Sequence, residues 1–156
     1  MEQMINKETL LKVAEVELVY RSKVKASERP SVTSSSDAAR ILRCVWEEGK
    51  LELVEQFKVL FLNRANKVIA VYNVSTGGIT GTVADPRLIL SAALKINAVS
   101  MILSHNHPSG SLKPSKADED LTHKIKEAAG YLDIRVLDHI IVSEEGYFSF
   151  ADEGIL

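Results

Sequence analysis

The sequence has a single cysteine, Cys44, so no disulfide can form within the chain and no cysteine-rich zinc site can be built. Strong charge of either sign is also missing. Nineteen Lys and Arg against 21 Asp and Glu leave a formal net charge of −2. That balance excludes a nucleic-acid binder working through bulk positive charge, though a local basic patch stays open. No run approaches the ~18 apolar residues of a membrane span. The opening residues are partly acidic and show no apolar signal core, so no secretory leader is expected. A cytoplasmic protein in a reducing compartment, without a membrane partner, is the reading these absences leave. What remains is ordinary globular material. Hydrophobic residues make up 46% of the 156, too many for a disordered chain and enough for one self-sufficient core.

The composition changes once. Residues 21–36 are polar, carry Pro30, and read as a loop. Its basic residues Arg21, Lys23, Lys25 and Arg29 fit a solvated linker better than a phosphate-contacting arm. Before the loop, Val16, Leu18 and Tyr20 alternate as in a half-buried strand, whose free edge could pair across a dimer. Oligomeric state stays open. Residues 1–35 are therefore expected to be a strand and loop belonging to one unit with 36–156.

After the loop, Ser36 can cap a helix over 37–48 that Gly49 ends. Ala38, Ile41 and Leu42 would face inward, with Ala39, Val45 and Cys44 also assigned to the core. The runs 57–62 and 68–72 flank Asn63-Arg64-Ala65-Asn66 as a hairpin. Gly77, Gly78 and Gly81 mark a flexible turn. Asp85 and Pro86 start a helix to Lys95 with Leu88, Ile89, Ala92 and Ala93 inward. The run 98–105 is nearly continuous in apolar residues, as in a strand covered on both faces. A helix over 116–129 stopped by Gly130, a buried strand over 134–142 and a short strand at 147–150 complete the pattern. Strands alternate with helices, so the expected fold is a three-layer α/β domain around a central mixed sheet.

The chemistry-bearing segment is 104–118. His105 and His107 stand two apart at a strand end, so the period of two sends both imidazoles to one side. Pro108 stops the strand and Ser109-Gly110 allows a sharp turn. Ser115 then caps a helix whose first turn carries Asp118. Two imidazoles and one carboxylate suit Zn²⁺, and three protein ligands leave one position open, as in a catalytic site. Zinc would bring a bound water's pKa to ~7. A base and an oxyanion donor would still be needed, the latter from the Ser115 hydroxyl or a nearby backbone N–H. The plainer alternative is that the imidazoles pack at a strand end and Ser115-x-x-Asp118 is a capping box. The convergence of all three candidate ligand side chains on one point favours the metal.

Other histidines and motifs contribute less. His139, in an apolar strand, reads as a satisfied core residue or a partner behind a ligand rather than a fourth ligand. His123 falls on a charged helix face. The deaminase pattern His-x-Glu with Pro-Cys-x-x-Cys is absent, as is His-Glu-x-x-His.

The run His105-x-His107-Pro108 with Ser115-x-x-Asp118 resembles the metal motif of the MPN (JAMM) metalloprotease superfamily. Ser104 through Gly110, Pro114, Asp138 through Val142, and Ser149-Phe150 resemble its RadC branch in particular. The resemblance implies an MPN-type α/β domain, related in layout to the cytidine deaminases, over 36–156. It implies His105, His107 and Asp118 as zinc ligands and Ser115 beside the bound water. It also implies a glutamate base from an earlier strand, matched by Glu55, with Glu52, Glu47 and Glu48 close by in sequence. The implied activity is zinc-dependent hydrolysis of a peptide or isopeptide bond in a protein substrate. A nuclease or DNA-repair factor, or a non-catalytic binding module, are the alternatives. Many RadC-type proteins carry a helix-hairpin-helix region, for which this sequence has no room, so the family name alone carries a DNA role less far.

Overall fold

The structure is a computed structural model that describes residues 21–77 and 83–156. The strand expected at 16–20 and most of the glycine turn at 78–82 lie outside them. Five strands form one sheet in the order β2-β1-β3-β4-β5. They are β1 (Gln56–Leu62), β2 (Val68–Thr76), β3 (Ser100–Asn106), β4 (Arg135–Val142) and β5 (Tyr147–Ser149). The β3–β4 pair is parallel and the other pairs are antiparallel, so the sheet is mixed as expected. Among the described residues three α-helices cover it: α1 (Ser35–Val45), α2 (Pro86–Lys95) and α3 (Lys116–Gly130).

Two cores separate the layers. On one face Val59, Phe61, Met101, Leu103 and Val136 meet Ile89 and Ala93 of α2 and Ile125 and Ala129 of α3. On the other, Leu60, Leu62, Ile102 and Ile140 meet Ala38, Ala39 and Leu42 of α1. Every residue of β1 and β3 is buried, which is why their sequences lack the polar alternation of a one-sided sheet.

Local signals set most element ends. Asp85 caps α2 by accepting from the Arg87 N–H at 2.9 Å, with Pro86 in its first turn. Helix α1 departs from expectation at both ends. Its cap is Ser34, not Ser36, and the Ser34 hydroxyl accepts from Asp37 N–H at 3.2 Å. The Asp37 carboxylate in turn accepts from the Thr33 hydroxyl and backbone, which fixes the start earlier in register. The helix stops at Val45 because Trp46 turns extended and buries its ring, leaving Gly49 in the following turn at φ +73°. Cys44 is exposed rather than in the core. It lies two residues from buried Leu42, ~200° around the helix. Leu88 and Val45 also point outward, since the buried stripes are the narrower Ile89/Ala93 and Ala38/Ala39/Leu42 sets.

One irregularity sets the orientation of a buried histidine. In the β3–β4 ladder Met101 opposes Val136, but Ile102 opposes Asp138 and Leu103 opposes His139. Leu137 is the extra residue of a bulge. It resets the alternation, so His139 lands on the α3 face of the sheet.

Candidate metal centre

The site forms where the end of β3 meets the start of α3. His105 is the penultimate residue of β3, and His107 follows the strand directly. Their Nε2 atoms lie 2.9 Å apart. The His-x-His-Pro spacing thus places both rings on one side, as the strand period requires. Asp118 approaches from the first turn of α3, with Oδ1 at 3.3 Å from His105 Nε2 and Oδ2 at 3.5 Å from His107 Nε2. The three residues each offer one ligand atom, all within 4.8 Å of one another.

Ser115 and Asp118 also form a complete capping box. The Ser115 hydroxyl accepts from Asp118 N–H at 3.1 Å, and Asp118 Oδ2 accepts from Ser115 N–H at 2.7 Å. The cap and the ligand set do not compete. The cap holds the Asp118 carboxylate against the rings, and Oδ1 stays directed at His105.

The far sides of both rings are committed. His107 Nδ1 contacts the Ser111 carbonyl at 2.8 Å, so in the neutral ring it is Nδ1 that carries the proton and Nε2 that carries a lone pair. His105 Nδ1 contacts His139 Nε2 at 2.7 Å. Phe57 stacks parallel to the His105 ring at 6.1 Å between centroids and closes its other side.

The electrostatics follow from this packing. Burial alone would raise the Asp118 carboxyl, but its contacts with the His105 and His107 rings outweigh burial and hold the group far below the usual carboxylate range. His107 is raised above the usual imidazole value by its contact with Asp118. The nearby Glu55 carboxylate adds to that pull. His139, fully enclosed, is pushed well down by burial and stays neutral. A concentrated negative field around two imidazole nitrogens, each with its Nδ1 occupied, is the donor set a divalent cation requires.

The residues singled out in the sequence divide by position. His105, His107, Asp118 and Ser115 meet at one point. Glu55 immediately precedes β1 and is half-buried, two residues before Phe57, which pairs in register with His105. Glu47 is engaged elsewhere, accepting from Gln56 Nε2 at 3.2 Å. Glu52 is exposed and lines, with His107, Ser109, Gly110, Ser143, Glu144 and Glu145, a cavity of about 200 Å³. His139 lies behind His105, as its sequence context indicated, and His123 is exposed on α3.

Sequence reasoning missed two residues. Thr122 reaches His139 Nδ1 at 2.6 Å from one turn beyond Asp118. Asn106, between the two histidines, clamps the segment before β1. Its Nδ2 donates to Leu51 O at 2.7 Å and Val54 O at 2.9 Å, and its Oδ1 accepts from Gln56 N–H at 2.8 Å. Only the position of Asn106 inside the motif could have drawn notice.

Known proteins resemble this chain over most of its length. Residues 32–155 match the family described as RadC-like JAB domain. A UPF0758 protein of Flavobacterium johnsoniae is 50% identical over 124 residues, covering 80% of this chain and 53% of that protein. The UPF0758 protein YeeS of Escherichia coli K12 is 47% identical over 102 residues, covering 65% of this chain and 69% of that protein. A UPF0758 protein of Leptothrix cholodnii is 42% identical over 144 residues, covering 92% of this chain and 64% of that protein. The chain thus spans between about half and two-thirds of the length of these relatives.

Proposed function

The chain belongs to the family of RadC-like JAB domains, and on that footing we propose that it is a zinc-dependent hydrolase that cleaves an amide bond, peptide or isopeptide, in a protein substrate. The observation that carries this reading is the convergence of His105 Nε2, His107 Nε2 and the Asp118 carboxylate, with both Nδ1 atoms already engaged. Zinc bound there would lower the pKa of a water ligand to ~7 and polarise the substrate carbonyl.

The protein's own groups would do the rest. Glu55 takes the proton that water gives up on attacking the carbonyl carbon, then returns it to the leaving amine. Its place at the threshold of β1, near His107, supports that role over Glu47. The Ser115 hydroxyl oxygen accepts from Asp118 N–H, so its own proton is free to meet the developing oxyanion. Ser115 is exposed and reachable by substrate. Phe57 and the end of β3 shield the His105 side of the centre from water. An exposed, unpaired Cys44 fits a cytoplasmic location.

Two measurements test the reading. Elemental analysis of protein purified without added zinc should find one zinc per chain, lost in Asp118→Ala. Glu55→Gln should keep the metal and lose turnover of peptide or isopeptide substrates. Full turnover in that variant would refute Glu55 as the base. Phosphodiester cleavage often uses two metals ~3.5–4 Å apart. Among the described residues His105, His107 and Asp118 are the one group of this kind, which favours amide over phosphodiester chemistry. Zinc-dependent DNA cleavage abolished by Asp118→Ala would reverse that preference. A metal-free, well-folded protein would make the domain a binding module.

A further inference from the structure

Behind the metal ligands runs a line of buried polar groups that the proposed reaction does not use. Thr122, on α3, is fully buried, as is His139 on β4. The Thr122 hydroxyl lies 2.6 Å from the Asp118 carbonyl, to which it donates, and 2.6 Å from His139 Nδ1. His139 Nε2 lies 2.7 Å from His105 Nδ1. The line therefore starts and ends at metal-ligand residues: the backbone of Asp118 at one end, the ring of His105 at the other.

Proton counting links the directions of these bonds, and both contacts of the Thr122 hydroxyl are hydrogen bonds only when its proton goes to the Asp118 carbonyl, which can only accept. A hydroxyl has one proton. Given to the Asp118 carbonyl, it leaves the Thr122 oxygen as an acceptor, so His139 must carry its proton on Nδ1. The neutral His139 ring then has a bare Nε2, which accepts from His105 Nδ1–H. His105 in turn has a bare Nε2, facing His107 and Asp118. Reverse the first bond and every later one reverses. Thr122 would donate to His139 Nδ1, His139 would carry its proton on Nε2, and His105 would present an N–H toward His107 and Asp118. The first polarity offers a lone pair to a cation and the second blocks it.

We propose that Thr122 and His139 are a positioning pair that holds His105 in the tautomer with its proton on Nδ1, so that Nε2 is presented ready to ligate a metal. This rests on the zinc reading and adds residues that the ligand motif does not contain. The rings are held as well as oriented. Phe150 stacks on His139 at 4.6 Å between centroids, and Phe57 meets the edge of the same ring at 5.5 Å. Thr122 lies one helical turn after Asp118, so a single turn of α3 supplies both the carboxylate ligand and the anchor of the line. Partners that orient ligating histidines are worth typically 10–100-fold in metal affinity.

The experiment has two arms. Zinc affinity is measured by competition with a chromophoric chelator for the wild type, Thr122→Val and Thr122→Ser. Valine keeps the shape and removes the hydroxyl, while serine keeps the hydroxyl. Thr122→Val should bind zinc about 10–100-fold more weakly, and Thr122→Ser should stay within about threefold of wild type by keeping that bond. In the second arm, nitrogen-15 NMR of the zinc-free wild type reads the tautomers directly. His105 and His139 should both carry their protons on Nδ1. Equal zinc affinity in Thr122→Val, or a wild-type His105 protonated on Nε2, would overturn the proposal. Should the valine variant fail to fold, the wild-type spectrum still decides. A wild type that takes up no zinc would overturn the metal reading, while the spectrum would separately decide the tautomer.

Discussion

Asn106 offers the sharpest test of how the site is braced. The side chain is fully enclosed and makes three hydrogen bonds to main-chain groups about 50 residues earlier, at Leu51, Val54 and Gln56. Truncation to alanine removes all three at once. The Gln56 N–H then sits at a fully buried position with no acceptor, and the Leu51 and Val54 carbonyls lie at half-buried residues. An orphaned buried group costs about 1–3 kcal/mol. The two carbonyls regain some water, so they fall at the low end of that range, and the total comes to about 3–5 kcal/mol. A domain has about 5–15 kcal/mol in hand, so Asn106→Ala should fold with much reduced stability. Asn106→Asp should be no better, because a carboxylate would face two carbonyl oxygens where the amide donated. Equilibrium unfolding in guanidinium checks the magnitude, with an unchanged slope showing that the folded state has kept its compactness. Hydrogen exchange at the Gln56 amide should accelerate beyond the global change. A loss below about 1 kcal/mol, with normal protection of Gln56, would refute the view that this side chain anchors the Glu55 segment.

Ser115→Ala removes the hydroxyl half of the capping box and should cost about 1 kcal/mol of stability by thermal unfolding, with turnover falling further than stability. Lys58 is buried beneath the Trp46 ring, and burial lowers its pKa below the ordinary lysine value, so folding disfavours its charged form. Lys58→Met should therefore be neutral or stabilising at pH 7 in chemical denaturation, since its hydrogen-bond partner Asn73 is exposed and can turn to water. Asp37 is lowered to about 2, first by the Thr33 hydroxyl and backbone. Its folded value lies below the ordinary carboxylate value, so its contribution is complete above pH ~4. That contribution is lost as pH falls toward 2. A stability–pH curve for Asp37→Asn should lack that part of the acid limb, and an unchanged curve would count against the assignment.

Much of this protein is written in local sequence. The apolar runs of β1, β3 and β4 mark strands covered on both faces because each contains enough branched and aromatic residues to satisfy two cores. Asp85-Pro86 and Ser115-x-x-Asp118 mark helix starts because a cap satisfies backbone groups within three residues of itself. His105 and His107 share a side because alternation along a strand is fixed by the backbone alone. The ligand set is legible for the same reason: all of it falls within 14 residues, from His105 to Asp118.

The supporting groups could be assigned only once the strands were in register. Which of Ser34, Ser35 and Ser36 caps α1 was decided by Thr33 meeting Asp37 and by where Trp46 buries its ring. Asn106 carries its meaning through contacts about 50 residues away, which no local pattern encodes. His139 is the plainest case. Strict alternation from Val136 would have turned its ring toward α1, away from His105. The bulge at Leu137 turns it toward α3 instead, within reach of Thr122 and His105. Sequence by itself determined what could bind a metal, because ligand spacing is a property of one short stretch of backbone. Tertiary structure decided which groups stand behind those residues, because strand register and helix placement are settled between segments and not within them.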